Sequence, residues 1–288
     1  MIAAPARSSD SSARSRSRSR TVDVSPFAAV PRLVLVPALL GLALLVLPLA
    51  GLLARVEWGT LLADITAAPS LDALRLSLIT GLAATAACAV LGIPLALVIA
   101  RAHERLARLL RAIVTVPLVL PPMVGGMALL FLLGRNGLLG PALQAWGVTL
   151  PFSTTAVVIA QAFVAMPFLV LSVEGALRAA GTDYELTAAT LGADRWTVFR
   201  RVTLPLAAPG IVSGVVLCFA RALGEFGATA LFAGNAAGTT RTMPLAIYTA
   251  FNGSGVSQGT AVALSLMLLA VAVVVMFLVR GWKPGAAR

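Results

Sequence analysis

Charge, lysine, histidine and cysteine are all scarce in this chain. Of its 288 residues, 11% are charged and 59% hydrophobic, with a mean hydropathy of +0.96. A soluble domain carries charge at roughly 25%, so the balance excludes a water-soluble globular protein and indicates an integral membrane protein. The single lysine, Lys283, is followed by Pro284. The Gly-Lys-Ser/Thr that lets a phosphate-binding loop grip a nucleotide is therefore missing, and no ATP site is expected here. The single histidine, His103, lies in an Arg-rich stretch and reads as a solvated side chain, with no metal-ligand cluster around it. The two cysteines, Cys88 and Cys218, both fall inside apolar runs, which argues for small packing residues and against a structural disulfide. No constellation of nucleophile, base and orienting group is present, so the chain does not read as an enzyme.

What the sequence has in abundance is apolar length. Runs near 20 residues, each able to cross roughly 30 Å of hydrocarbon as a helix, occur at 33–54, 72–100, 112–133, 155–177, 206–232 and 260–280. The expected fold is an all-α integral membrane protein with six spans. The run TVPLVLPPMVGGMALLFLLG holds Pro117, Pro121, Pro122, Gly125 and Gly126, so that span should be broken or kinked where protein or water can satisfy the freed backbone groups. Pro205 and Pro209 suit the start of the fifth span. Between the last two spans, Met243 to Phe251 is too short to cross and reads as a re-entrant or interfacial helix, or as a simple external loop.

The net charge of +11 is explained by topology without invoking nucleic acid. Residues 1–30 contain a Ser/Arg alternation (SARSRSRSR) and read as a disordered cytoplasmic tail, a solvated topology determinant and not a secretory signal. With the N-terminus inside, seventeen Lys and Arg residues fall on the inner side against four at the outer side, which places both termini in the cytoplasm.

Two segments demand more than lipid. Arg221 and Glu225 stand in FARALGEFGATALFAGN, four positions apart on one helix face. Each charge costs about 2.5–3.5 kcal/mol at a membrane centre, so the two should pair. They serve as a structural ion pair or as the border of a translocation path. The other segment is RAAGTDYELTAATLGADRWTVFRRVTLP, polar and on the inner side. Thr182 or Asp183 can cap a short helix bearing Tyr184, Glu185, Ala188 and Ala189; Gly192 can end it, and Asp194 can cap a second helix. The small residues permit close approach by a partner, although from periodicity alone an ordinary connecting loop is the default reading.

That segment resembles the coupling-loop signature of ABC-transporter permease subunits, in which Glu-Ala-Ala, three residues, Gly, nine residues, Ile, any residue and Leu-Pro follow one another. Here Gly192 precedes nine residues and then Val202, Thr203, Leu204 and Pro205, while Glu185 stands one position earlier than the pattern. ALGEFGATALFAGN, TRTMPLAIYTAF, GRNGLLGPALQ and LPFSTTAVVIAQAFVAMPFLV are similar to the molybdate-type branch, which lies close to the sulfate and thiosulfate permeases; the likeness covers about residues 72–280. It implies a type-I importer bundle working by alternating access in the inner membrane. Its expected partners are a second permease copy, separate ATPase subunits that hold ATP and magnesium, an extracytoplasmic oxyanion-binding protein and membrane lipid. Glu185, Leu186, Ala188, Ala189, Gly192, Leu204 and Pro205 would then belong to the element that docks on the ATPase. The implied cargo is molybdate, with tungstate, sulfate or thiosulfate as alternatives. A self-sufficient secondary anion transporter or channel is the competing class, and the internal repeat common in secondary transporters is not visible.

Overall fold

The computed structural model describes residues 32–253 and 258–280; the expected Ser/Arg tail and Lys283 lie outside them. All regular structure among the described residues is helical. The chain divides into two compact units, one ending at Gly51 and one starting at Leu52. The first is essentially α1 (Arg32–Ala54), 23 residues that are apolar around the whole circumference and long enough to cross a bilayer.

The second unit starts with α2 (Leu61–Thr66) and α3 (Ala68–Arg101), a helix of 34 residues. Next come α4 (Glu104–Val119) and α5 (Pro122–Leu133), bent by 112° at the break between them. Pro121 stands at the break in extended backbone and Pro122 takes the first helical position, where its missing N–H costs nothing. Among the described residues, five helices are long and apolar enough to span, and the bent pair supplies a sixth span if it is one crossing. The loop expected on the inner side is shorter than the sequence suggests: only Ala102 and His103 separate α3 from α4, so Arg105, Arg108 and Arg111 stand on a helix.

After α6 (Gly140–Ala145) comes α7 (Thr154–Ala180), capped by Ser153, whose hydroxyl accepts from the Ala156 N–H at 3.1 Å. This helix is the axis of the unit. One face packs with α3, α4 and α10 (Leu204–Leu223) through Cys88, Ala165, Leu169, Val173 and Cys218; another packs with α5 and α11 (Gly227–Phe232) through Val157, Ala160, Val164 and Phe232. Contact with α10 is close because Gly210 and Gly214 present no side chain; a Cβ on Gly210 would stand 2.3 Å from that of Ala176. Likewise a Cβ on Gly126 of α5 would lie 2.8 Å from the Ala228 carbonyl oxygen of α11.

Two boundaries differ from the sequence reading. No break precedes Pro205: α9 (Arg195–Val198), a π-helical turn (Phe199–Thr203) and α10 run on as one helix. In the π turn the Leu204 N–H donates to the Phe199 carbonyl five residues back, and this widened turn lets Pro205 enter α10 without a donor of its own. The run 206–232 is not one helix either, because α10 ends at Gly224 and α11 starts afresh at Gly227. The nine-residue segment is a helix, α12 (Met243–Phe251), tucked against α3 and α13 (Gln258–Arg280), with the Met243 N–H donating to Ser77 Oγ at 2.7 Å.

Candidate functional site

At the end of the core where α3 and α7 terminate, the chain forms α8 (Asp183–Thr190). Thr182 holds the N-cap position without a side-chain bond, so neither candidate cap acts through its oxygen. Gly192, at φ +87°, ends the helix in a conformation that a Cβ disfavours. Asp194 caps α9, accepting from the Trp196 and Thr197 N–H groups at 3.1 and 3.4 Å. The Thr197 hydroxyl and these amide bonds hold its carboxyl below the usual aspartate range.

Glu185 turns inward from α8. Its Oε1 accepts from Arg101 Nη2 at 2.5 Å and from the Thr203 hydroxyl at 2.7 Å, and its Oε2 accepts from Arg101 Nε at 3.2 Å. Partial burial pushes this carboxyl up, but the bonds from Arg101 and Thr203 and the Arg101 charge outweigh it, and the net position is below the ordinary glutamate range. One side chain thus ties α8 to the last residue of α3 and to the π turn. Thr203 adjoins Leu204 and Pro205, so the two halves of the segment that resembles a coupling loop meet through the Glu185–Thr203 bond. Tyr184 and Leu186, which flank Glu185 on α8, and Leu191 and Trp196 beyond that helix are exposed, Leu191 to 83%. Ala189 is exposed and Ala188 half-buried. A cleft of about 640 Å³ opens beside them, lined by Leu97, Arg101, Glu185, Ala189 and Phe199. These exposed apolar side chains stand on the same segment as the Arg101–Glu185–Thr203 bonds.

A second ion cluster at this end escaped the sequence reading. Glu174 of α7, its side chain 4% exposed, accepts from Arg111 of α4 and from Arg178 Nε one turn on, the latter at 2.8 Å. The signal was available: Glu174 lies inside the run expected to span, and the i,i+4 argument applied to Arg221 and Glu225 applies to it.

The structure brings Arg221 and Glu225 together. Arg221 Nη2 stands 2.7 Å from Glu225 Oε2 in charge contact. Glu225 is 1% exposed, and its Oε1 accepts from the Ala228 N–H at 2.8 Å. This second bond fits the break in the run: ending α10 at Gly224 frees the first N–H groups of α11, and the buried carboxylate caps one of them, that of Ala228.

A helical membrane unit of this kind has counterparts among known proteins. The family model of the binding-protein-dependent transport system inner membrane component matches residues 92–287. The chain belongs to this family. Among transport-system membrane components, the molybdenum transport system permease protein ModB of Mycobacterium tuberculosis (strain ATCC 25618 / H37Rv) is 52% identical over 255 residues, 88% of this chain and 96% of the relative. The ModB protein of Escherichia coli (strain K12) is 43% identical over 181 residues, 62% and 78% of the two chains. A solved bacterial ABC transporter involved in the import of the acidic polysaccharide alginate superposes with a TM-score of 0.69 at 16% identity, over 88% of this chain and 95% of that one. That likeness speaks to the fold of the transport component.

Proposed function

We propose that this chain is the membrane-spanning permease subunit of an ATP-driven molybdate importer. The observation that carries the reading is the 52% identity to a molybdenum permease across nearly the whole of both chains. In this reading two copies pair around a path, and an extracytoplasmic binding protein delivers the anion. Separate ATPase subunits hold ATP and magnesium, and both termini lie in the cytoplasm of a cell whose inner membrane the chain spans.

Coupling would run as follows. Tyr184, Leu186 and Leu191 seat in a groove of the ATPase. Closure of the nucleotide-loaded pair moves α8, and Glu185 passes the displacement to Arg101 at the end of α3 and to Thr203 at the foot of α10. Because α3 and α10 flank α7, a shift of both against it opens one end of the bundle and closes the other, which is alternating access. Arg221, beside the break between α10 and α11, would attract the oxyanion transiently; a tight site there would hinder release.

The test is uptake of radiolabelled molybdate by proteoliposomes holding the chain with its ATPase and binding protein. ATP-dependent uptake, competed by unlabelled molybdate and abolished when the ATPase is omitted, is the expected result. Uptake driven by an ion gradient without the ATPase would replace this reading with a secondary transporter, and uptake of sulfate alone would change the cargo.

A further inference from the structure

GRNGLLGPALQ, LPFS and AGN, distant in sequence, meet at the end of the bundle opposite α8. An open cleft of about 600 Å³ forms there, where the chain passes from α5 through α6 to the start of α7. Leu130 and Phe131 of α5, Arg135 and Asn136 of the loop after it, and Pro151 and Phe152 before α7 line it. Its walls are fixed by the backbone. The Leu138 and Leu139 N–H groups donate to the Phe131 and Leu132 carbonyls at 2.9 and 2.8 Å, and Gln144 Nε2 donates to the Arg135 carbonyl at 2.8 Å. Among the described residues, Phe152 is the one non-glycine residue at positive φ, +60°. Its N–H donates to the Phe232 carbonyl at 3.4 Å, and its ring lies against Gly234, where a Cβ would stand 2.9 Å from Phe152 Cδ1. A strained backbone that keeps an aromatic ring exposed at the lip of a cleft points to a use for that ring.

The chemistry of the cleft restricts its occupant. Arg135 is the only charged residue from Gly134 to Ser153, and among the described residues its guanidinium pairs with nothing. A free guanidinium beside the Asn136 amide suits an anion that offers several oxygens. The other four lining side chains are apolar, and the exposed Phe131 stands on α5, part of the bent pair that is apolar enough to span. The occupant must therefore be anionic at Arg135 and apolar at Phe131. A free hydrated dianion would lose water to these rings with one charge in return. The carboxylate of a protein arriving from water would meet the arginine and leave the level of α5 unfilled. A phospholipid meets both demands, because its acyl chains already lie in the layer that α5 occupies and its phosphate reaches the loop. A headgroup ammonium would find no carboxylate in this segment, so the headgroup carries net negative charge.

We infer that this cleft binds an anionic phospholipid, its phosphate on Arg135 and Asn136 and the first part of an acyl chain against Phe131 and Phe152. The volume lies within the roughly 300–1,000 Å³ of small-molecule sites and exceeds what a four-oxygen anion needs. A planar guanidinium takes a phosphodiester through two parallel hydrogen bonds, and the rigid loop holds it in place for them. The inference goes beyond the importer reading and does not depend on the cargo.

The test is photolabelling of the purified full chain in phosphatidylcholine nanodiscs by phosphatidylglycerol that carries a diazirine near the head of one acyl chain. Labelled residues are mapped by peptide mass spectrometry, because arginines elsewhere on the chain also attract anionic lipid. Label on the peptides that hold Phe131 and Phe152 is expected, competed by unlabelled phosphatidylglycerol and not by glycerol 3-phosphate. Arg135→Gln should lower that label about tenfold, the loss of one charge-assisted contact. Label elsewhere and the melting temperature should stay as in wild type, since the Arg135 side chain bonds nothing in the fold. Arg135→Lys, which keeps the charge and loses the fork, should fall between the two. Equal label in wild type from a phosphatidylcholine probe of the same design overturns the inference without recourse to any variant. So does label on these peptides that Arg135→Gln leaves intact. Displacement by glycerol 3-phosphate would make the cleft a site for water-soluble anions. No label in wild type, with binding-protein-dependent uptake lost in Arg135→Gln, would make it a protein-docking site; either result overturns the lipid.

Discussion

Arg101 closes α3 on Glu185 of α8 with two parallel hydrogen bonds, 2.5 and 3.2 Å long, and Glu185 spends its remaining reach on Thr203. A planar guanidinium facing a carboxylate in this way fixes orientation as well as distance, which lysine cannot do. Arg101→Lys should therefore keep assembly and lower transport, and Glu185→Gln should do the same. In a double-mutant cycle between Arg101→Ala and Glu185→Ala, the chain's stability should show a coupling energy of about 1 kcal/mol or more. A coupling near zero, with ATPase stimulation still linked to uptake in both single variants, would remove Glu185 as the node of transmission.

The same carboxyl gives the α8 end of the chain a pH dependence. Its folded value is depressed, so its contribution is fully present above the unfolded glutamate value of about 4.3 and is lost as pH falls through the lower folded value. Melting temperature measured from pH 6 down to pH 3, by about half a unit a step, should fall more steeply in wild type than in Glu185→Gln across that window. Parallel curves would mean that the Arg101 pair does not stabilise the fold.

What the sequence disclosed, and what it hid, divides by range. The apolar runs, the kinked Pro-rich segment, the Asp194 cap and the Arg221–Glu225 spacing were legible because each is a local pattern whose cost in lipid or in backbone hydrogen bonds can be computed from a few residues. Arg101–Glu185 was not, since 84 positions separate its partners and only the fold brings them together. The unbroken helix from Arg195 to Leu223 was missed for another reason: a π turn changes which N–H is needed, and Pro205 then ceases to be a boundary. The small-residue seam of Gly210, Gly214 and Cys218, spaced by four, carried a readable signal that points to close packing against α7.

That seam makes an ordered prediction. A methyl at Gly210 would stand 2.3 Å from Ala176 Cβ and 2.9 Å from the Ser172 carbonyl oxygen, whereas at Gly214 the nearest atoms are the movable end of Leu169 at 3.0 Å and its carbonyl oxygen at 3.1 Å. Gly210→Ala should destabilise the chain by about 1–3 kcal/mol, and Gly214→Ala by less, since its overlaps are shallower and the closest atom is a side-chain tip that can give way. Thermal melting in detergent ranks the two, and the reverse order would place α10 differently against α7.

The Arg221–Glu225 pair allows its structural and its transport roles to be separated. Glu225 is buried and Arg221 is about a quarter exposed, its side chain at 27%, so Arg221→Gln strands a carboxylate and should cost up to about 3 kcal/mol, discounted for the partial exposure of the guanidinium. Loss of assembly in that variant alone says nothing about transport. The double variant Arg221→Gln/Glu225→Gln removes both charges together, and the amide oxygen at position 225 can still accept from the Ala228 N–H. It should recover the wild-type melting temperature to within about 1 kcal/mol, because an ion pair replaced as a unit is close to neutral in stability. If Arg221 borders the path, uptake of molybdate should stay at least about tenfold down in this well-folded protein, the loss of one charge-assisted contact. Full uptake in the stable double variant would leave the pair as a lock between α10 and α11 and move the path elsewhere.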